Sequence, residues 1–441
     1  MGHTQYKELD SSGVSWLQKK PSHWRIKKLK FSTDLINNKV SVEDSPLPYL
    51  GLEHIESWTG RKIEGEISNS EGLASSFVVG DVLFGKLRPY LAKVHLAQQD
   101  GLISSEALVV RSKDELDAEF LKYYMLSRDF INIVDSSTYG SKMPRASWDF
   151  IRNLPVLLPD VEEQKVIARF LDFKTAQIDA LIAKKKSLLD KLAEKRTALI
   201  SHAVTKGLDP SVAMKDSGVP WLGNIPAHWD AKRLKFVIST FGGGTPNTGK
   251  PEYWNGEIPW VSPKDMKSDF IEATEDYLTE IGVAESATKI VPVDSVLIVV
   301  RSGILRHTIP VARNTVEVSL NQDMKALVAD ERLRPGFLHW FISGLQEGLL
   351  PIWSKQGCTV ESIEMDYMSN TVIPLPPVEE QDAILEKIQE ITARLDAQAE
   401  KVIAVISSLI EYRSSLITHA VTGKIDVRGF ATPHSAEGIA L

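Results

Sequence analysis

A chain of 441 residues is too long for one hydrophobic core, and its 43% hydrophobic and 25% charged residues suit two or more globular domains rather than disorder. The single cysteine, Cys358, excludes an internal disulfide and a cysteine-rich zinc site; the polar first ten residues lack a signal-peptide core, and no apolar run reaches the length of a membrane span. A cytoplasmic protein without a membrane partner is expected, and its net charge of −7 argues mildly against nucleic acid, although Lys19, Lys20, Arg25, Lys27, Lys28 and Lys30 follow one another with no acid between them.

Taken in order, the chain first shows a lead-in phrase: Gly13-Val14-Ser15-Trp16-Leu17, Pro21-Ser22-His23-Trp24 and Leu29-Lys30-Phe31. The globular part from Arg25 to Leu158 then alternates short β-rich runs, such as Asp81 to Phe84 and Ala107 to Val110, with one helix from Asp117 to Ser127. Two basic and aromatic clusters lie in its loops. One is Lys86, Arg88, Tyr90 and Lys93; the other runs from Tyr139 to Arg145 and includes Lys142.

Val161 to Thr205 reads as one long helix of about 40 residues, a rod of roughly 60 Å at 1.5 Å per residue. Asp160 and Glu163 form a capping-box-like start and Gly207 a stop. Leu171, Ile178, Leu181, Leu188, Leu192 and Leu199 form a heptad seam, while Lys184, Lys185 and Lys186 occupy a solvated face.

The lead-in phrase then returns as Gly218-Val219-Pro220-Trp221-Leu222, Pro226-Ala227-His228-Trp229 and Leu234-Lys235-Phe236, displaced by 205 positions (221 − 16). A second globular part from Lys232 to Leu375 contains the run Ser295 to Val300 and a helix from Pro335 to Gln346. Its loops hold Arg301, Arg306 and His307, then Lys355-Gln356-Gly357, in places that correspond to the two clusters of the first part. A second helix, Val378 to Thr422, repeats the first with no insertion or deletion at a displacement of 217 (378 − 161). Its seam is Ile388, Ile391, Leu395, Val402, Val405, Leu409 and Leu416, its start is marked by Pro376-Pro377 and its end by Gly423.

The chain is therefore a tandem duplication, with a first domain at 1–158, a helix at 159–206, a second domain at 207–375, a helix at 376–426 and a tail at 427–441. The fold class is α+β: two small domains separated by two helices that pair as an antiparallel coiled coil with pseudo-twofold symmetry. That symmetry places Trp16 against the end of the second helix, near Lys424.

Chemistry is hard to find. Gly244 to Lys250 has the spacing of a phosphate loop, but Pro251 replaces the metal-holding hydroxyl and the following residues do not begin a helix. Asp160, Glu163 and Lys165 crowd one helical turn, and their duplicates include Pro377 and Asp382, so they form a helix start and not a nuclease site. His23, His228, His202 and His419 recur in the duplication and are expected to be structural. No catalytic residue, metal or cofactor is assigned to this chain. Arginine, lysine, asparagine and glutamine in the variable loops can read base edges or hold phosphates.

Several phrases together resemble the specificity subunits of type I DNA restriction-modification systems: the Gly-Val-Ser-Trp-Leu and Pro-Ala-His-Trp lead-ins, Gly243-Gly244-Thr245-Pro246 leading to Tyr253-Trp254 and Ile258-Pro259-Trp260, and the repeated Val-Glu-Glu-Gln helix start. The resemblance implies a non-catalytic subunit in which each domain reads half of a split double-stranded DNA site. It also implies two modification subunits that use S-adenosylmethionine, and restriction subunits that use ATP and magnesium. By that likeness Thr245, Asn247 and Lys250 belong to target recognition. The first half departs from the pattern, having Asp34-Leu35-Ile36-Asn37-Asn38 where the second has Gly-Gly-Thr-Pro. A different class remains open at this point, a duplicated coiled-coil adaptor that binds protein and no DNA.

Overall fold

In the computed structural model, residues 4–14, 16–65, 72–140, 142–355 and 360–431 are described. The chain forms two compact units, Met1–Lys186 with Ile403–Leu441, and Ser187–Val402. Each is α+β and each contains a part of both long helices, α1 (Val161–Lys206) and α2 (Val378–Val421).

The first unit is built on an antiparallel sheet in the order Thr33–Ile36, Ala107–Ser112, Val82–Gly85, Val94–Leu96. Its central strands are apolar on both faces because both faces are covered. Val82, Phe84 and Val110 point into a core shared with helices Ala118–Leu126 and Arg128–Ser136, and the alternate residues Leu83 and Val109 enter a smaller core with Leu50, Ile55, Phe77 and Ile103. A second sheet, ordered Lys39–Ser41, Leu73–Phe77, Gly101–Ser104, Tyr49–Leu50, backs that smaller core.

The second unit repeats the plan. Its five-stranded sheet runs Ile238–Gly242, Met324–Ala329, Val296–Val299, Val311–Asn314, Phe270–Ile271. Val296 and Ile298 join the core that includes helix Pro335–Gly344, and Leu297 and Val299 join the other. A three-stranded sheet of Asp276–Leu278, Trp254–Val261 and Ser319–Leu320 completes it.

The repeated helix start is a clasp between globular part and rod. In α1, Gln164 accepts from the Asp117 amide at 2.8 Å and donates to the carbonyls of Glu115 and Pro159. In α2, Gln381 accepts from the Arg334 amide at 2.7 Å and donates to Arg332 and Pro376. Asp160 caps α1 as expected, accepting from the Glu163 amide at 2.9 Å. Glu163 does not close a capping box; its carboxylate accepts from Tyr6 at 2.7 Å and meets His23 at 2.8 Å. Its duplicate Glu380 meets His228 at 2.7 Å and accepts from the indole of Trp229 at 2.9 Å. The lead-in histidines thus secure the helix starts.

Both helices end at glycines with positive φ, Gly207 at 76° and Gly423 at 70°. A Cβ on Gly423 would lie 2.3 Å from the Pro21 ring, which shows how closely the lead-in meets the end of α2. The Asp426 amide donates to the Thr4 carbonyl at 2.7 Å, and Trp16 packs on the core that contains Ile425 and Val427. The expected closure of the amino terminus onto α2 is present in this unit. The basic run near it is tied down: Lys27 reaches Glu115 at 2.6 Å, Arg25 lies 3.7 Å from the same carboxylate, and Lys20 is 3.9 Å from Asp10.

Within the first unit the early part of α1 packs on the late part of α2, and within the second the late part of α1 packs on the early part of α2, which is antiparallel pairing. Most of the seam read from the sequence is kept, and it departs at three positions. Leu181, Leu188 and Val405 are exposed by 41%, 39% and 42%. The buried and half-buried positions follow Leu171, Thr175, Ile178, Ile182, Leu189, Leu192, Arg196, Leu199 and Ala203, and their duplicates Ile388, Thr392, Leu395, Ala399, Ile406, Leu409, Arg413, Leu416 and Ala420. Val402 and its duplicate Lys185 are also half-buried, so Lys185 leaves the solvated face expected of the lysine triplet, while Lys184 and Lys186 are exposed. The physical reason is that an unbroken alternation of four and three passes through polar residues, and following apolar residues alone diverts the reading to the flank.

The seam arginine Arg413 pairs with an aspartate that adjoins the seam position Ile178. Arg413 grips Asp179 at 2.9 Å with both side chains only 8% exposed, and also donates to the Trp58 carbonyl at 2.8 Å. The duplicate pair is looser, with Arg196 3.7 Å from Asp396, whose side chain is 60% exposed. A cleft of about 640 Å³ surrounds the tight pair, lined also by Arg61, Arg128 and Lys186. No described helix is long and apolar enough to cross a membrane.

Candidate nucleic-acid interface

In the first unit, strand Val82–Gly85 leads directly into the first basic cluster. The Lys86 amide donates to the Glu106 carbonyl at 2.9 Å, the Ala146 amide donates to the Lys86 carbonyl at 2.9 Å, and Leu87 bridges Arg145. Arg145 bridges Tyr139 in turn. These main-chain pairs bring two clusters about sixty positions apart in sequence onto one surface (145 − 86 = 59). Arg88, with φ of 50°, and Ala92, with φ of 47°, bracket the turn Pro89–Leu91, and the Arg88 amide is held by the Pro144 carbonyl at 2.8 Å. Arg88, Tyr90, Tyr139, Lys142 and Met143 are exposed there.

Arg145 lies against Glu106 through Nε at 2.9 Å and Nη2 at 3.2 Å. That carboxylate raises the arginine's pKa. Lys39 joins the group: burial, then the neighbouring Lys86 charge, lowers its pKa, while Glu106 opposes. Lys93 is turned away, half-buried with its ammonium on the Leu52 carbonyl at 2.6 Å, and burial lowers its pKa.

The second unit offers the same frame with other side chains. The Val300 amide donates to the Asp323 carbonyl at 2.8 Å, the Ile363 amide donates to the Val300 carbonyl at 2.8 Å, and Arg301 bridges Ser362. Arg301 Nε donates to Asp323 at 2.7 Å and Arg306 Nε to Glu361 at 3.0 Å. Lys355 is 3.4 Å from Glu364, and its amide donates to the Ser362 carbonyl at 2.8 Å. Arg301, Arg306, His307 and Lys355 are all exposed. Gln356 lies outside the described residues, as do Ser141, Gly357 and Cys358.

The loop Gly243–Lys250 borders this surface. Thr245 donates to Gln322, next to Asp323, and the Gly244 amide donates to the Leu320 carbonyl at 2.8 Å. Asn247 accepts from the Gly249 amide at 2.9 Å and from the Trp254 indole at 3.3 Å. Lys250 donates to the Tyr253 hydroxyl at 2.6 Å, which raises its pKa, and lies 3.6 Å from Glu285. A three-residue 3-10 turn, Pro251–Tyr253, follows in place of the helix that a phosphate loop opens. Sheet register aligns Ile36 with Phe241, since they pair with Val109 and Ala326, and so places Lys39 where the second unit has Gly244. Lys39, Glu106, Gln322 and Asp323 were not singled out from sequence. The displacement of 205 would have found Lys39 (244 − 39), but the carboxylates become visible only through pairing.

Among the described residues no group of acidic, histidine or cysteine side chains is arranged to hold a metal. The surface instead offers donors, aromatic rings and fixed arginine planes, a chemistry suited to nucleic acid.

The family model for the type I restriction modification DNA specificity domain matches residues 55–191 and 226–407. The chain belongs to that family. Its two matched regions each include one arginine–carboxylate surface and a part of one long helix. Among relatives, the EcoR124I/EcoR124II specificity subunit of Escherichia coli is 34% identical over 241 residues, 53% of this chain and 54% of that one. The MjaIX specificity subunit of Methanocaldococcus jannaschii is 30% identical over 37% of this chain and 38% of its own length. This specificity-family chain therefore spans about half or less of the length of those two relatives. A putative MjaX specificity subunit from the same organism is 20% identical over 92% of this chain and 95% of that one.

Two solved structures share the fold. A chain from work on complex assembly and conformational transition of the type I R-M system is 18% identical, with TM-score 0.70, over 92% of this chain and 99% of that one. The HsdS subunit from Thermoanaerobacter tengcongensis is also 18% identical, with TM-score 0.51, over 92% and 98%.

Proposed function

We propose that this chain is the DNA-reading specificity subunit of a type I restriction-modification complex, acting in the cytoplasm on double-stranded DNA. Each unit reads one half of a bipartite site. One observation carries this reading: two duplicated frames present unlike polar and aromatic side chains at equivalent surface positions, as two versions of one task on two targets require. The chain performs no catalysis and carries no cofactor. Two modification subunits supply S-adenosylmethionine-dependent adenine methylation, and restriction subunits supply ATP- and magnesium-driven cleavage. The family membership and the names of the relatives support the specificity-subunit reading.

The acidic total charge fits a reader whose partners supply much of the phosphate neutralisation. The test is co-expression with the cognate modification subunit in an unmethylated host, followed by mapping of methylated adenines. A motif of two short halves separated by unread positions is expected. Methylation without a bipartite motif would overturn the reading, and absence of salt-sensitive duplex binding, with and without the modification subunit, would restore the adaptor in its place.

A further inference from the structure

The two units keep one carboxylate and exchange its arginine. Glu106 and Asp323 hold the same place in the frame, because their carbonyls accept the amides of Lys86 and Val300, the residues that follow equivalent strands. The bridge beside them joins Leu87 to Arg145 in the first unit and Arg301 to Ser362 in the second. Leu87 therefore corresponds to Arg301, and Arg145 to Ser362. The arginine that meets the conserved carboxylate comes from one side of the bridge in the first unit and from the other side in the second.

We infer that Glu106 and Asp323 are positioning residues that fix Arg145 and Arg301 as guanine readers, one for each half of the DNA site. The inference rests on the DNA-reading function proposed above. Its chemistry is that of the guanidinium edge. Glu106 occupies Nε and one hydrogen of Nη2 of Arg145, and no further hydrogen bond engages that guanidinium among the described residues. The outer edge, Nη1 with the second hydrogen of Nη2, is the two-donor fork that matches O6 and N7 of guanine. Arg145 keeps 33% of its side chain exposed and Arg301 keeps 56%.

A carboxylate behind the guanidinium largely cancels its charge and leaves its donor geometry intact. Such a group is poorly suited to a phosphate, which is held by charge, and well suited to a base edge, which is read by direction. Supplying the arginine from opposite sides of the bridge also aims the fork differently in the two units, so the two guanines stand at different places within their half-sites.

The experiment uses the full chain in complex with its modification subunit. Methylation mapping, with competition binding on duplexes altered one base pair at a time, compares the native chain with Arg145→Lys, Glu106→Gln, Arg301→Lys and Asp323→Asn. Arg145→Lys keeps a cation beside Glu106, so the surface stays paired while the fork is lost. Preference for guanine at one position of one half-site is expected to fall roughly tenfold or more. Glu106→Gln should relax that same position, and the second pair of variants should relax one position of the other half-site only. Equal weakening on every duplex, with a shallower salt dependence, would mark these arginines as phosphate contacts and overturn the inference. Unchanged preference at all positions would overturn it as well. Failure of the underlying reading shows separately, because the native complex itself would then yield no bipartite motif.

Discussion

Gly243 sets the tightest single-residue constraint on the second recognition surface. A Cβ there would stand 2.0 Å from the Asn321 carbonyl oxygen and 2.3 Å from that of Leu320, so only glycine lets the loop lie against the segment that carries Gln322 and Asp323. Backbone, unlike a side-chain tip, cannot move aside cheaply. Gly243→Ala is expected to cost about 1–3 kcal/mol of stability in the second unit and to displace Thr245 from Gln322. Recognition of one half-site should weaken while the other half-site is read as before, which base-by-base competition binding would reveal; equal reading of both halves would disprove the constraint. Residues such as Arg145 and Arg301 were legible in sequence because they fall in polar loops next to β-rich runs. Glu106 and Asp323 were not, since their roles depend on strand pairings that join positions far apart, and Lys93 shows that a cation in the right loop can still be used for internal bonding.

At the level of elements, the starts and ends of the long helices followed from sequence, because Asp160 and the terminal glycines act through local chemistry. The clasps did not, because Gln164 meets Asp117 and Gln381 meets Arg334 across 47 positions. The seam followed only in part, because its positions include Thr175, Arg196, Thr392 and Arg413 as well as aliphatic residues. Seam arginines specify register at some cost in stability. The duplicates are unequal in a way that can be measured. Removing Arg413 leaves the buried Asp179 with only Arg61 among the described residues, 3.8 Å away on an exposed side chain, so Arg413→Met should destabilise the first unit by about 3 kcal/mol. For the Arg196–Asp396 pair, Asp396→Asn removes a carboxylate that stands in water while Arg196 keeps Asp269 at 3.5 Å, and the loss should cost about 1 kcal/mol or less. Urea denaturation of the two variants compares them directly. Similar losses would mean that burial of the aspartate does not decide the cost.

For the whole molecule, the tandem duplication was legible from two fixed displacements alone, 205 for the lead-in phrases (221 − 16) and 217 for the helices (378 − 161). The two helix repeats match position for position with no insertion, as they would if the paired helices set the gap between the two half-sites. Inserting four residues after Lys185 and four after its duplicate Val402 tests this idea. Each helix grows by about 6 Å at 1.5 Å per residue, which at roughly 3.4 Å per base pair along a strand equals one or two unread base pairs. Four residues approximate one helical turn, so the seam continues as a stutter and pairing should persist. One inserted residue instead rotates everything beyond it by about 100°, which breaks the alternation of four and three and should abolish assembly. The letters of both half-sites should stay the same in the four-residue variant, because no reading residue moves within its own unit. Methylation mapping that returns identical letters with a longer gap would establish the helices as the ruler, and an unchanged gap would assign the spacing to some other part of the complex.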